Sequence, residues 1–208
     1  MWSRPYLLFP VLVFAAAFFL DKLFFVGGFS IYFLKTASFL NYDHKDELIN
    51  ELEAYLEQAD RRKVVVLFGN SRTMSFDLRY IESAYPGWTL FNFSVPGGTS
   101  DYFLRYMEEF ESRSLRPDFF YFAVTPQAFN AAPVVNMDEV MLNGLTPAFV
   151  ARHMNRYKAN DLSNYMAKQM FWTYQYRPKF RVIMRRLRTP AEVQAYETFL
   201  AFTKTALS

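Results

Sequence analysis

The chain contains no cysteine and only two histidines, His44 and His153, among its 208 residues. Without cysteine there are no disulfide bridges, no catalytic thiolates, and no zinc or iron–sulfur centres held by thiolates. Two histidines also leave little material for a metal site built on imidazole. We therefore expect neither a metal ion nor a cofactor. Because both oxidising and reducing compartments tolerate a chain without cysteine, this absence does not locate the protein.

An excess of charge of one sign is also missing, since 23 basic residues face 20 acidic ones and the formal net charge is +3. No basic stripe interleaved with aromatic residues is present, so we expect no nucleic-acid partner. The densest basic cluster, Arg181 to Arg188, predicts a solvated helix face, with contact to a membrane surface or a phosphate as the alternative. A nucleotide site is disfavoured as well, because no Gly-x-Gly-x-x-Gly follows the first predicted strand and no Walker-type lysine occurs.

Apolar side chains, in contrast, are abundant. Hydrophobic residues make up 52% of the chain and aromatic residues alone 20%. This is ample for a buried core and argues against disorder. The length of 208 residues predicts one domain plus an appendage.

The N-terminal segment predicts a membrane anchor. No charged residue occurs from Pro5 to Leu20, and Asp21 and Lys22 follow directly. A bilayer span needs about 20 mainly apolar residues, and the charged pair can lie at the interface. Arg4 and the terminal amine put positive charge on the leading side, which favours that side in the cytoplasm. We therefore expect a single-pass protein of the cytoplasmic membrane, with the lipid bilayer as a partner and the main domain periplasmic or extracytoplasmic.

Two other interpretations of this segment stay open. The run Ala15 to Ala17 resembles the small-residue site of a cleaved signal peptide, and the segment can also be a buried core helix. Residues 23–34 either continue the anchor or lie in the membrane interface. On the anchor interpretation, residues 1–35 form the anchor and residues 36–208 form the remaining domain.

The rest of the chain alternates between helical and extended patterns. An amphipathic pattern predicts a helix at about 44–59, with Asp43 as its N-cap. Three short apolar runs predict strands, and a helix from Thr99 or Ser100 to about Arg113 separates the last two. The predicted strands are Val64–Phe68, Thr89–Phe93 and Phe119–Val124. This order implies parallel strands joined by crossover helices, an α/β fold.

Helical patterns dominate the C-terminal part of the chain. They begin after Thr146 and include one helix around Tyr165 to Tyr174 and another that starts near Pro190. No pattern for a fourth or fifth strand is recognisable. The predicted sheet is therefore incomplete on its C-terminal side.

The loops that follow the three predicted strands carry the candidate chemistry. They comprise residues 69–73, 94–100 and 125–130. In a parallel α/β sheet, loops at the carboxyl ends of the strands form the functional site. The first loop offers the hydroxyl of Ser71, at a point where a helix is expected to begin. The second offers the backbone amides of Gly97 and Gly98, and the third offers the carboxamide of Gln127, all suited to stabilise an oxyanion.

These loops resemble the sequence blocks of SGNH (GDSL-type) hydrolases. The segment Gly69-Asn-Ser-Arg-Thr73 is similar to the first block, in which a serine follows strand one. The segment Asn92 to Ser100 is similar to the second, where an asparagine closes strand two and a glycine follows five positions on. The run Arg116 to Gln127 resembles the approach to the third. The resemblance covers about residues 61–130 and implies a flavodoxin-like parallel sheet in three layers.

The resemblance also implies roles for individual residues. Ser71 takes the position of the nucleophile, and its own amide and that of Gly97 take the positions of two oxyanion donors. Gln127 stands where the family has an asparagine, so it is the candidate third donor. Asn70 replaces the usual aspartate. With its anchor, the chain is similar to the membrane-tethered bacterial branch, which includes polysaccharide O-acetyltransferase-like proteins. The implied function is that of an esterase or O-acyltransferase acting on an acylated glycan or lipid.

The expected catalytic base is the main departure from that family. Its members supply an Asp-x-x-His pair near the C-terminus, and a serine nucleophile needs such a base. No histidine follows His153, and neither histidine has an aspartate three residues before it. We therefore expect little activity from the chain as it stands and interpret it as a shortened version of a longer protein. The alternative is a non-catalytic, membrane-tethered interaction or assembly module.

Simpler interpretations of the candidate residues stay open beside these. Ser71 can serve only to cap a helix, and Gly97 can serve only to form a loop before the next helix. Gln127 can be an ordinary polar loop residue, and His44 and His153 can be surface or packed side chains.

Overall fold

The computed structural model describes residues 8–23, 25, 32, 38–76, 78–125, 137–177 and 179–207. The chain divides into two compact units. The first comprises Met1–Thr36 and Tyr157–Phe202, and the second comprises Ala37–Arg156 and Thr203–Ser208. This division groups 157–202 with the N-terminal segment, whereas the sequence-based division put them in the α/β domain.

Ten helices and three strands occur in the described part of the chain, so the fold is mixed α/β. The helices are α1 Phe9–Leu23, α2 Ser38–Leu56, α3 Leu78–Ala84, α4 Ser100–Ser112, α5 Met137–Gly144, α6 Pro147–Arg152, α7 Ala159–Met170, α8 Trp172–Tyr176, α9 Phe180–Arg188 and α10 Pro190–Leu207. The strands are β1 Lys63–Phe68, β2 Trp88–Asn92 and β3 Phe119–Phe122.

The strands form one parallel sheet in the order β2-β1-β3. The three predicted strands and their parallel direction are confirmed. The central strand β1 buries Val64, Val66, Leu67 and Phe68, because it has a neighbour on each side and its apolar run leaves no polar face.

The core of the second unit is rich in aromatic rings. The ring of Phe68 lies 5.5 Å from that of Phe93 and 6.1 Å from that of Phe110, in addition to contacts with β3. Tyr102 and Tyr106 on α4 are also buried. Burial raises the pKa of both tyrosines well above the usual value. Their hydroxyls therefore stay protonated, and that of Tyr102 donates to the carbonyl of Phe93 at 3.1 Å.

One local expectation, the start of the helix near Asp43, was wrong. Helix α2 begins at Ser38, so Asp43 lies inside it instead of capping it. The turn before Asp43 contains Tyr42, which is buried and whose hydroxyl donates to the carbonyl of Pro96 at 2.5 Å. This long-range contact favours an earlier helix start, and no local pattern announces it. The aromatic strand β3 is partly exposed, since Phe119 and Tyr121 are each 57% exposed.

The first unit ties α1 to α8. The carboxylate of Asp21 accepts hydrogen bonds from the backbone amides of Trp172 at 2.7 Å and Thr173 at 2.9 Å. These amides open α8 and have no partner within the helix, so Asp21 satisfies them. The ammonium of Lys22 lies 4.0 Å from the centre of the Trp172 ring. The ring of Phe14 meets that of Phe171 edge-on at 5.8 Å.

The described part of α1 covers 15 residues. Within the described ranges, no helix combines the length and the apolar character that crossing a bilayer requires. The membrane anchor stays a prediction.

Candidate functional site

The first loop leaves β1 at Gly69 and forms a series of turns. The amide of Thr73 donates to the carbonyl of Asn70 at 3.0 Å, and that of Phe76 donates to the carbonyl of Thr73 at 3.3 Å. Ser71 is exposed within these turns. Helix α3 begins only at Leu78, so the expectation that a helix starts at Ser71 was wrong. The simpler interpretation of Ser71 as a helix cap fails for the same reason.

A hydrogen-bonded cluster joins the first loop to the second. The Thr73 hydroxyl lies 2.8 Å from the buried hydroxyl of Ser94 and 2.9 Å from the carbonyl of Asn70. The Asn92 side chain donates to the carbonyl of Thr73 at 2.9 Å and accepts from the amide of Ser94 at 3.0 Å. Asn92 therefore bridges the two loops from the end of β2.

Close backbone contact reinforces this junction. A Cβ atom on Gly98 would lie 2.2 Å from the carbonyl oxygen of Gly69, far inside van der Waals contact. The amide of Val95 donates to that same oxygen at 3.3 Å. Gly97 has a φ of 66°, in the left-handed region that glycine adopts without strain. The second loop can therefore approach the first only because these positions lack side chains.

Helices α2 and α4 hold the second loop in place through hydrogen bonds. Thr99 caps α4 by accepting the amide of Tyr102 at 3.4 Å, so α4 begins where the sequence predicted. Tyr42 from α2 bonds the carbonyl of Pro96, and its ring meets that of Tyr102 edge-on at 5.8 Å. Each end of the loop is thus fixed to a helix.

The structure brings the loops of Ser71 and Gly97 together at the carboxyl edge of the sheet, as predicted from the strand order. Gln127 lies outside the described residues. The sequence predicts no role for Thr73 and Ser94, because a hydrogen bond between side chains 21 positions apart leaves no local sequence pattern.

His153 is bound elsewhere in the second unit. Its Nε2 lies 2.6 Å from Glu108, which also accepts from Arg152 at 2.6 Å. Partial burial raises the pKa of Glu108, but the hydrogen bonds from Arg152 and His153 outweigh it and lower the pKa. Glu108 comes eight residues after Ser100, so it lies about 12 Å down α4 from the loops. We infer that His153 does not serve Ser71.

His44 occupies a buried position on α2, where only 4% of the residue is exposed. Its Nδ1 lies 3.9 Å from the carboxylate of Glu47. His153 thus binds an acidic side chain of α4, whereas His44 is packed within the second unit. Across the described ranges, no group of histidine and acidic residues is arranged to hold a metal ion.

Fold and site together define a mixed α/β protein with a serine- and glycine-bearing loop pair at one edge of a parallel sheet. A family model described as a protein of unknown function, DUF1574, matches residues 1–207. The chain therefore belongs to the DUF1574 family. Comparison with curated proteins gave no match, and comparison with solved structures gave none either.

Proposed function

We propose that this chain is a membrane-anchored SGNH-like domain of the esterase or O-acyltransferase type, with Ser71 as its nucleophile. The observation that carries the proposal is the exposed Ser71, directly after the central strand β1, beside a loop held to it through glycine backbone. Functional loops in open parallel sheets lie at this edge. The order of the loops and their residue types support the SGNH resemblance and its flavodoxin-like three-layer architecture.

The proposed reaction is acyl transfer through a covalent intermediate. The Ser71 oxygen attacks an ester carbonyl and loses its proton to a base, and the carbonyl oxygen becomes negative. The amides of Ser71 and Gly97 stabilise this oxyanion, with the Gln127 carboxamide as the third donor. The tetrahedral species collapses, the alcohol leaves with a proton, and water or a sugar hydroxyl then takes the acyl group. The substrate class is an acylated glycan or lipid outside the cytoplasm.

The proposed anchor is the N-terminal segment around α1. Leu12, Phe19 and Leu20 on this helix are each about two-thirds exposed, between 65% and 66%. Exposed apolar side chains in such number favour a lipid environment. Asp21 and Lys22 follow at the level where an interface is expected. The N-terminus is proposed to lie on the cytoplasmic side of the cytoplasmic membrane and the main domain on its periplasmic or extracytoplasmic side.

One observation favours a second candidate, a non-catalytic interaction or assembly module on the same membrane. His153 is bound to Glu108, whose carboxylate also accepts from Arg152, on α4 away from the loop that carries Ser71. A serine without an adjacent base is a poor nucleophile. The two candidates differ in whether Ser71 is activated.

Labelling with a serine-directed fluorophosphonate distinguishes them. The enzyme proposal requires that, in membranes that contain the full chain, the unchanged protein is labelled and Ser71→Ala falls to background. Ser75→Ala is the matched control, since Ser75 is exposed in the same turns, and it should keep full labelling. His153→Gln should also keep it. Absence of labelling from the unchanged protein would contradict the enzyme proposal and favour the interaction module.

A further inference from the structure

Helix α9 separates apolar and basic side chains around its axis. At 100° per residue, Phe180, Ile183, Met184 and Leu187 share one side. Three arginines share the neighbouring side, and no acidic residue occurs in the helix. These arginines are Arg181, Arg185 and Arg188. Such a division is typical of helices that lie along a boundary between an apolar and a polar medium.

The burial of α9 departs from that of an ordinary surface helix at three positions. Phe180 is 74% exposed and Leu187 is 53% exposed, whereas Arg186 is only 8% exposed. The guanidinium of Arg186 lies 4.3 Å from the centre of the Tyr196 ring. A surface helix normally turns its apolar stripe to the core and its charges to water. Here Arg186 faces the protein, whereas Phe180 and Leu187, at the two ends of the apolar stripe, face outward and are available to another apolar medium. Ile183 and Met184 between them are half-buried.

The charges beside this stripe indicate what that medium is. Arg181, Arg185 and Arg188 are all exposed, and Arg185 pairs with Glu192 at 2.8 Å. A second copy of the chain would bring the same arginines toward these, which is unfavourable. A surface with anionic headgroups above an apolar layer complements both sides of the helix at once.

The neighbouring elements of the first unit point the same way. Helix α8 carries Trp172, Tyr174 and Tyr176, and Lys22 from the end of α1 lies over the Trp172 ring. Tryptophan, tyrosine and lysine are the residue types that mark the membrane interface. Helix α8 ends at Arg177, which adopts a left-handed conformation with a φ of 43° and turns the chain toward α9. Only three residues separate the last residue of α8 from the first of α9.

We propose that α9 lies on an anionic membrane surface, with Phe180 and Leu187 inserted among the lipids and with Arg181, Arg185 and Arg188 bound to phosphate headgroups. The role goes beyond anchoring and acyl transfer, and it does not depend on whether Ser71 is reactive. It gives the chain a second membrane contact, which selects for anionic phospholipid.

The absence of cysteine makes this proposal testable with a single label. The full chain with Leu187→Cys, carrying an environment-sensitive fluorophore, is reconstituted into vesicles of phosphatidylcholine alone or mixed with phosphatidylglycerol. In the mixed vesicles we expect the emission of the fluorophore to shift to the blue and to be quenched by quenchers attached to lipids. Both effects should be weaker in vesicles of phosphatidylcholine alone, and salt should reduce both. Glu111→Cys, an exposed position on α4 in the second unit, is the control and should respond to neither.

A paired variant tests the headgroup contact. Arg181→Gln with Arg188→Gln removes two exposed charges and leaves the Arg185–Glu192 pair intact. Each arginine near an anionic surface contributes roughly five-fold to binding, so the double variant should lose about twenty-fold or more of the phosphatidylglycerol-dependent response.

Vesicle flotation measures whether the chain is attached to the membrane at all, whereas the fluorophore at position 187 measures whether α9 contacts the lipids. A chain that floats with vesicles while the label at 187 stays water-like would overturn the role of α9 and leave the anchor standing. An equal response in both lipids would overturn the headgroup contact. A blue shift without lipid quenching that grows with protein concentration would assign the stripe to a second copy of the chain instead. A chain that does not float would contradict both the anchor and this proposal.

Discussion

Replacing Gly98 by alanine is expected to lower the free energy of unfolding of the second unit by about 2–3 kcal/mol. The added Cβ would lie 2.2 Å from the carbonyl oxygen of Gly69. That atom belongs to the backbone at the end of β1, so no side-chain rotation can relieve the overlap. The second loop must move away from the first. Any labelling of Ser71 by a fluorophosphonate should therefore fall together with stability.

Gly87→Ala is the control for this prediction. Gly87 lies in the exposed turn before β2, and a Cβ there would meet no atom within 4 Å. Denaturant unfolding of both variants in the same detergent compares them directly, and Gly87→Ala should change the unfolding free energy by less than about 0.5 kcal/mol. Equal stability of the two variants would mean that the close contact between Gly98 and Gly69 is absent in solution.

Lys45→Met is expected to raise the free energy of unfolding by about 3 kcal/mol at pH 7. Lys45 lies on the core-facing side of α2 between Tyr42 and Ile49, and only 3% of it is exposed. Within the described ranges, no carboxylate forms an ion pair with it. Burial lowers the pKa of Lys45 from 10.5 to about 8, because the charged ammonium loses its hydration. Methionine has a similar length and carries no charge to bury.

The pH dependence of this effect has a definite sign. Below pH about 8 the lysine is protonated in both states, and the folded state carries the full penalty of burying the charge. Between about 8 and 10.5 the unfolded chain binds more protons, so the stability of the unchanged protein rises with pH. The advantage of Lys45→Met should therefore shrink across this window and vanish above it.

Unfolding curves at pH 7, 9 and 10.5 provide the measurement, because these values lie below the folded pKa of Lys45, between its folded and unfolded pKa, and at its unfolded pKa. Lys63→Met is the control, because Lys63 is exposed at the start of β1 and should give little change at any pH. A loss of stability in Lys45→Met at pH 7 would contradict the prediction and would indicate that the ammonium has a favourable partner.

Local sequence patterns were sufficient to predict the strands of the sheet and helix α4. The run Val64–Phe68 is apolar throughout, and the structure gives β1 Lys63–Phe68. Thr99 has the side chain of an N-cap and stands before an amphipathic run, and α4 begins directly after it. Both elements are specified by residues that are neighbours in sequence, which is the information that periodicity contains.

Features that depend on distant residues escaped prediction. The part of α2 before Asp43 includes Tyr42, whose hydroxyl donates to the carbonyl of Pro96, 54 positions away. The bond between Thr73 and Ser94 holds the candidate site together, yet neither residue belongs to a recognisable motif. The basic cluster was expected to be a solvated face, and Arg181, Arg185 and Arg188 are exposed, but Arg186 is buried against Tyr196. Tertiary context, rather than local preference, decides each of these.

The parallel sheet also sets an order in which the chain can fold. Val65 pairs with Leu90, 25 positions along the chain, and with Phe119, 54 positions along. Closing the longer loop costs roughly 0.6 kcal/mol more in chain entropy, since its length is about double. We therefore expect β2 to join β1 first. Until Tyr121 and its neighbours have been synthesised, one edge of the most hydrophobic strand of the second unit stays open, and that interval is when a nascent chain most needs a chaperone.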